Sequence, residues 1–176
     1  MEKHRAALIG SQMGSSKAKP TYAEIYSAAL RMLGGRELSR KQLCEKLERR
    51  YGANPDVGLV LDDLSKGGMQ DDSRFCEMFV RSKISRGQGA IRIEYELKQA
   101  GISEALIAQH LTTDDESWVD QALDVARKKM GVKNLDFSTQ QKLSRFLMQR
   151  GFGSDIVRKT IQELVRERDD SLEEPF

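Results

Sequence analysis

Three groups of cations are the residues best placed to do chemistry in this sequence, and the chemistry open to them is the binding of anions. Arg81, Lys83, Arg86 and Arg92 surround a Gly87-Gln88-Gly89 break with no acid among them. Arg127, Lys128, Lys129 and Lys133 close a long helical pattern, and Lys142, Arg145 and Arg150 lie on the pattern that follows. Lys98 belongs with the same candidates. A basic loop rimmed by glycine can come close to phosphates or to acidic protein surface. Taken singly, such residues are solvated surface charge or partners of helix C-terminal dipoles. Arg81, Lys83, Arg86 and Arg92 are therefore the first candidates for a partner contact, followed by Lys98, Arg127, Lys128, Lys129, Arg145 and Arg150.

Other reactive side chains are sparse. Asp62-Asp63 and Asp71-Asp72 invite a metal, but each pair is expected at a helix end, capping free N–H groups or solvated, and no further ligand converges on it in sequence. Cys44 and Cys76 are the only cysteines, both among apolar neighbours, so reduced buried thiols are expected rather than a disulfide framework. His4 and His110 are too few to build a zinc site. No histidine accompanies a nucleophile pattern, and no strand precedes Gly87-Gln88-Gly89 to make it a phosphate cradle. Trp118 reads as a core or inter-unit anchor, because base-stacking proteins present several aromatics. The expectation is a binding protein, not an enzyme, without catalytic residue, cofactor or metal.

The elements that carry these residues repeat. Leu47 to Gly52, Leu97 to Gly101 and Leu147 to Gly151 each lead into a helix start (Asn54, Ser103, Ser154) and a second apolar stripe. A period of about 50 residues is the mark of stacked helical units, which share a core and offer long surfaces to large partners. Apolar content of 39% and charged content of 32% over 176 residues suit a slim array with much solvated surface; the net charge is only +2. Tyr22, Ile25, Tyr26, Ala29, Leu30 and Leu33 form one apolar helical stripe. Ser39 to Gln42 and Ser138 to Gln141 read as capping boxes, and Asp72 as the cap of the helix bearing Phe75, Cys76, Phe79 and Val80. The pattern predicts nine helices in three sets of three, an all-α fold in a slim array. Expected limits are a mobile tail over 1–20, repeats over 21–67, 68–112 and 113–168, and an acidic tail over 169–176. No run is long and apolar enough to span a membrane, and the apolar run Ala6 to Ile9 is too short for a signal peptide, so the cytoplasm is the expected location and a monomer the expected state. Phe75, Leu97, Gly101 and Phe146 read as fold residues.

Asp71-Asp72-Ser73-Arg74-Phe75, then Arg86-Gly87-Gln88-Gly89, Arg92-Ile93 to Glu96-Leu97 and Gly101-Ile102-Ser103 resemble the RecX family of bacterial regulators of the RecA recombinase. Lys142 to Leu147 followed by Arg150-Gly151-Phe152 resembles that family's C-terminal block, and the resemblance covers roughly residues 22 to 168. Met69-Gln70 departs from it, standing where the family usually has an aromatic or apolar residue and Leu; Ala90 replaces a common Pro. The resemblance implies three tandem three-helix repeats in an elongated, curved array, with Asp71, Asp72, Arg74, Phe75, Gly87, Gly89, Leu97, Gly101, Phe146 and Gly151 as structural motif residues. It also implies binding to RecA and its filament on single-stranded DNA, with filament growth, ATPase, strand exchange and co-protease activity held back. A helical-repeat protein that binds DNA independently of RecA is the alternative.

Overall fold

The computed structural model describes residues 19–111, 114–131 and 135–173, so the expected N-terminal tail lies almost wholly outside the described residues. Among those described, every regular element is an α-helix: α1 (Tyr22–Gly35), α2 (Arg40–Tyr51), α3 (Asp56–Lys66), α4 (Asp72–Ser85), α5 (Ala90–Gln99), α6 (Glu104–His110), α7 (Asp115–Met130), α8 (Phe137–Gln149) and α9 (Ser154–Glu173). Among the described residues, extensive helix–helix packing occurs within α1–α3, α4–α6 and α7–α9.

The caps explain where helices start, and several differ from the expected ones. Thr21 and Glu24 form a complete, reciprocal capping box on α1. Asp71, not Asp72, caps α4: its carboxylate accepts the N–H groups of Ser73 and Arg74 at 2.7 and 3.1 Å. Asp72 instead reaches across to the neighbouring unit and accepts the Arg40 N–H, 2.8 Å away, at the start of α2. Asp136 caps α8 through the Thr139 N–H, so Ser138 lies inside the helix rather than at its cap. Ser39 caps α2 through the Gln42 N–H, but its hydroxyl proton goes elsewhere.

Two cores result. Ile25, Leu38, Leu43, Leu47, Val60 and Leu64 centre the first, inside α1–α3. The second is continuous across the other two units, from Phe75 and Cys76 through Ile93, Leu97, Trp118 and Ala122 to Leu147, Phe152 and Leu164. Trp118 meets Phe152 edge-on at 6.3 Å between ring centres. Phe75 and Leu97 are core; Phe146 is only half-buried and packs against the core's rim. Cys76 is buried and Cys44 half-buried, both free thiols, and burial is the main cause pushing each thiol's pKa up.

Adjacent units meet by one device used twice. The turn after the second helix of one unit rests on the N-terminus of the second helix of the unit before it. The Ser39 hydroxyl donates to the Ala100 carbonyl at 2.7 Å, and Lys41 Nζ donates to the Gln99 carbonyl. In the matching place the Gly89 N–H donates to the Arg150 carbonyl at 2.9 Å and the Ile91 N–H to the Gly151 carbonyl at 3.1 Å. A Cβ on Gly89 would lie 2.4 Å from the Gly151 carbonyl group, and one on Gly151 2.4 Å from Arg92 Cβ. These glycines let two backbones touch.

The first junction is more polar than the second. Buried Gln70 donates from Nε2 to the Leu38 carbonyl and to Asp72, while its Oε1 accepts the Ser65 hydroxyl. Gln70 thus supplies hydrogen bonds to this junction. Arg74 forks onto Glu37, 2.6 Å from Nε, and onto the carbonyls of Gly68 and Met69. Ser39→Ala removes both a cap and a buried inter-unit hydrogen bond. It is expected to cost about 2 kcal/mol in urea denaturation.

Candidate basic groove

The α4–α5 turn is seated on α7 because Gly87 carries no side chain: a Cβ there would lie 2.8 Å from Val125 Cγ2. That seating places Arg86 beside Lys128 and Lys129 at the end of α7 and Arg150 at the end of α8. Together with Ile84 and Phe146 they line a groove of about 430 Å³. Lys129 Nζ lies 5.1 Å and the Arg150 guanidinium 5.0 Å from the centre of the Phe146 ring. Two cations on one ring are held by its quadrupole rather than by carboxylates, so their charge stays available. Arg150 also donates to the Arg86 carbonyl at 2.7 Å, which fixes the groove's shape. Arg86 and Lys128 are exposed and have no ion pair among the described residues. Asp124 is the acid lining the groove, and it pairs with Arg127 at 3.6 Å.

One member of each of the three expected clusters, or more, is thereby gathered: Arg86, Lys128 with Lys129, and Arg150. The remaining candidates are elsewhere. Lys83 and Arg92 converge on Glu96, so the first cluster does contain an acid in space, supplied from one turn beyond Arg92. Burial alone would raise the Glu96 carboxyl; the hydrogen bonds from Lys83 and Arg92 outweigh it and hold it below the usual carboxylate range. Arg81 pairs with Glu77 along α4, and Lys98 pairs with Glu94 and Glu104. Arg127 pairs with Asp124 and Glu167 in a neighbouring acidic groove that shares Asp124 with the basic one. Arg145 borders a separate groove with Phe137 and Met148. Sequence spacing did not reveal Phe146 as the platform for two of the cations, nor Val125 as the wall under Gly87; both follow from helix contacts between units.

The carboxylate pairs have structural partners. Asp62 pairs with Arg40 at 2.6 Å. Asp63 accepts the Tyr22 hydroxyl at 2.6 Å, and this hydrogen bond is the chief cause that pushes the Tyr22 pKa up to about 12. Asp62 and Asp63 lie exposed near the C-terminal end of α3, solvated rather than capping free N–H groups. Among the described residues no three His, Cys, Asp or Glu side chains are grouped so as to hold a metal ion, and no helix is long and apolar enough to cross a membrane.

Known proteins share this helical architecture. Residues 71–111 match the family model described as RecX, second three-helix domain, and residues 115–161 match RecX, third three-helix domain. A protein named Regulatory protein RecX from Halorhodospira halophila is 39% identical over 145 residues, covering 81% of this chain and 89% of that protein. One of the same name from Legionella pneumophila is 36% identical over 140 residues, covering 79% and 93%. The crystal structure of RecX from Lactobacillus salivarius superposes with a TM-score of 0.69 at 23% identity, covering 81% of this chain and 96% of that one.

Proposed function

Because the chain belongs to the RecX family of regulatory proteins, we propose that it binds the RecA recombinase, free or as a filament on single-stranded DNA, and restrains filament growth, ATPase, strand exchange and co-protease activity. It does so in the cytoplasm, without cofactor. The observation that carries this reading is the basic groove on the last two units. Cations from the α4–α5 turn, α7 and α8 stand together around Phe146 with little carboxylate compensation. Such a groove suits an acidic filament surface or the DNA backbone bound within the filament. Contacts from several units act together when the partner is itself a repeating polymer.

The test is RecA ATPase on single-stranded DNA, titrated with this protein. Inhibition well below one molecule per recombinase subunit supports blocked growth; absence of inhibition by the folded protein rejects the reading. Arg86→Glu combined with Lys128→Glu changes exposed side chains without ion pairs and is expected to leave helicity intact. It is expected to raise the inhibitory concentration about tenfold, the equivalent of about 1.4 kcal/mol. Unchanged inhibition would remove the groove from the interface.

The groove also favours a second reading, direct binding of DNA without RecA. That reading requires tight binding to single strands in the absence of recombinase, with an affinity that falls steeply with salt. The same double variant would then flatten the salt dependence, and RecA ATPase would respond only through competition for DNA.

A further inference from the structure

A cleft of about 500 Å³ opens where the second unit meets the third, and it shares no lining residue with the basic groove. Its floor is apolar: Trp118 and Phe152 meet there edge to face, with Ile107, Leu111 and Ile156 around them. Ile91 stands at its edge and is 60% exposed, a large apolar side chain left in water. Apolar clefts of this size between two packed units are where ligands and chain segments bind, and an apolar patch at a surface gains by being covered.

The lip of the cleft is acidic. Glu94, Glu104 and Asp115 stand there against one cation, Lys98. Lys98 is shared between Glu94 at 2.7 Å and Glu104 at 3.6 Å. Asp115, on the third-unit side, also lines the neighbouring acidic groove with Asp114, Glu116 and Asp120, and its partner Lys159 lies in that groove too. The acidic surface therefore continues beyond the cleft in that direction. A cover that fits is apolar, with cations at one end.

One segment of the chain has that pattern: Lys3-His4-Arg5 followed by Ala6-Ala7-Leu8-Ile9. It lies outside the described residues. The chain that tethers it is long enough. Ile9 precedes Lys19 by ten positions, a reach of up to about 35 Å. Lys19 lines a groove with Arg50 and Tyr51, and the Pro20 carbonyl accepts Asn54 Nδ2 at 3.2 Å, so the tether starts beside the end of α2. From Tyr51 back along α2 to Lys41 is about 15 Å. The Lys41 side chain packs where a Cβ of Gly101 would be, and Gly101 is one turn beyond Lys98 at the lip, which adds about 10 Å. The direction agrees as well. A chain arriving along α2 meets the Lys98 lip first, lays Ile9 to Ala6 across the floor and brings Arg5 and Lys3 to the Asp115 side.

We infer that the segment Lys3 to Ile9 docks in this cleft of its own chain. The apolar run covers the floor around Trp118 and Phe152, and the cations meet the acidic lip. A short tether holds the segment beside the cleft at a roughly millimolar concentration, so a contact too weak to capture a free peptide stays filled. The docked segment straps the first unit to the other two across the polar junction.

Photo-crosslinking of the full chain, with p-benzoylphenylalanine in place of Leu8, tests this at about 1 μM protein, where weak contacts between molecules are empty. Adducts located by mass spectrometry are expected within one chain and mainly on Ile91, Ala108 and Ile156. Glu104→Lys with Asp115→Lys reverses the lip and is expected to cut the cleft adducts about fivefold, with circular dichroism confirming the fold. Adducts scattered over the first unit around Tyr51, adducts joining two chains, or none in the cleft overturn the inference. So does a cleft yield that the reversed lip leaves unchanged.

Discussion

Gly151→Ala is expected to destabilise the protein by about 4 kcal/mol, against about 1 kcal/mol for Gly52→Ala, although the two glycines occupy the same place in their units. Gly52 tests conformation alone. Its φ of +72° is strained for any residue with a Cβ, but among the described residues nothing lies within 4 Å of where that Cβ would be. Gly89 tests contact alone. Its φ of −86° suits any residue, yet a Cβ would lie 2.4 Å from the Gly151 carbonyl carbon and oxygen. The atoms in the way are backbone, which cannot rotate aside, so overpacking of about 2–3 kcal/mol is expected. Gly151 combines both: φ is +90°, and a Cβ would meet Arg92 Cβ at 2.4 Å and Arg92 N at 2.7 Å. Urea denaturation of the three variants separates the two contributions. If Gly89→Ala proved as mild as Gly52→Ala, the units would not be joined by backbone contact.

The second large effect concerns where a truncated core side chain is felt. Leu47→Ala and Leu97→Ala each remove a fully buried side chain at matching positions before the repeated glycine, and each is expected to cost about 3 kcal/mol. Their reach differs because Leu47 sits in a core confined to α1–α3, while Leu97 sits in one that runs through α4–α9. Native-state hydrogen exchange is the measurement. Leu47→Ala is expected to release the amides of α1–α3 while those of α7–α9 keep their protection. Leu97→Ala is expected to lower protection in α4–α6 and α7–α9 together. Equal loss throughout the chain for Leu47→Ala would show that the polar junction built from Ser39, Gln70, Asp72 and Arg74 couples the first unit as firmly as an apolar core does.

Both expectations draw on features legible in the sequence to different depths. Helical periodicity is local, so the apolar stripes of α1, α3 and α5 could be read from residues three and four apart, and the glycine period marked the units. Caps were less legible. Ser39, Asp71, Asp72, Asp136 and Ser138 all have side chains able to cap, and which one does so depends on a backbone geometry set by packing. Asp72 shows the limit most plainly: adjacent to a true cap, it serves the start of a helix more than thirty residues away.

What the sequence by itself determined was the helical class, the threefold repetition and the set of cations from which a binding surface could be made. Tertiary structure alone decided which of those cations count. Arg92 and Lys83 are one turn and one helix away from Glu96 and are neutralised by it, whereas Arg86, Lys128, Lys129 and Arg150 come from three separate segments and meet around Phe146. The physical reason is range. Helix formation follows from neighbours along the chain, but the charge on a surface depends on every side chain within a few ångströms in space, and only the packing of one unit on the next brings those side chains together.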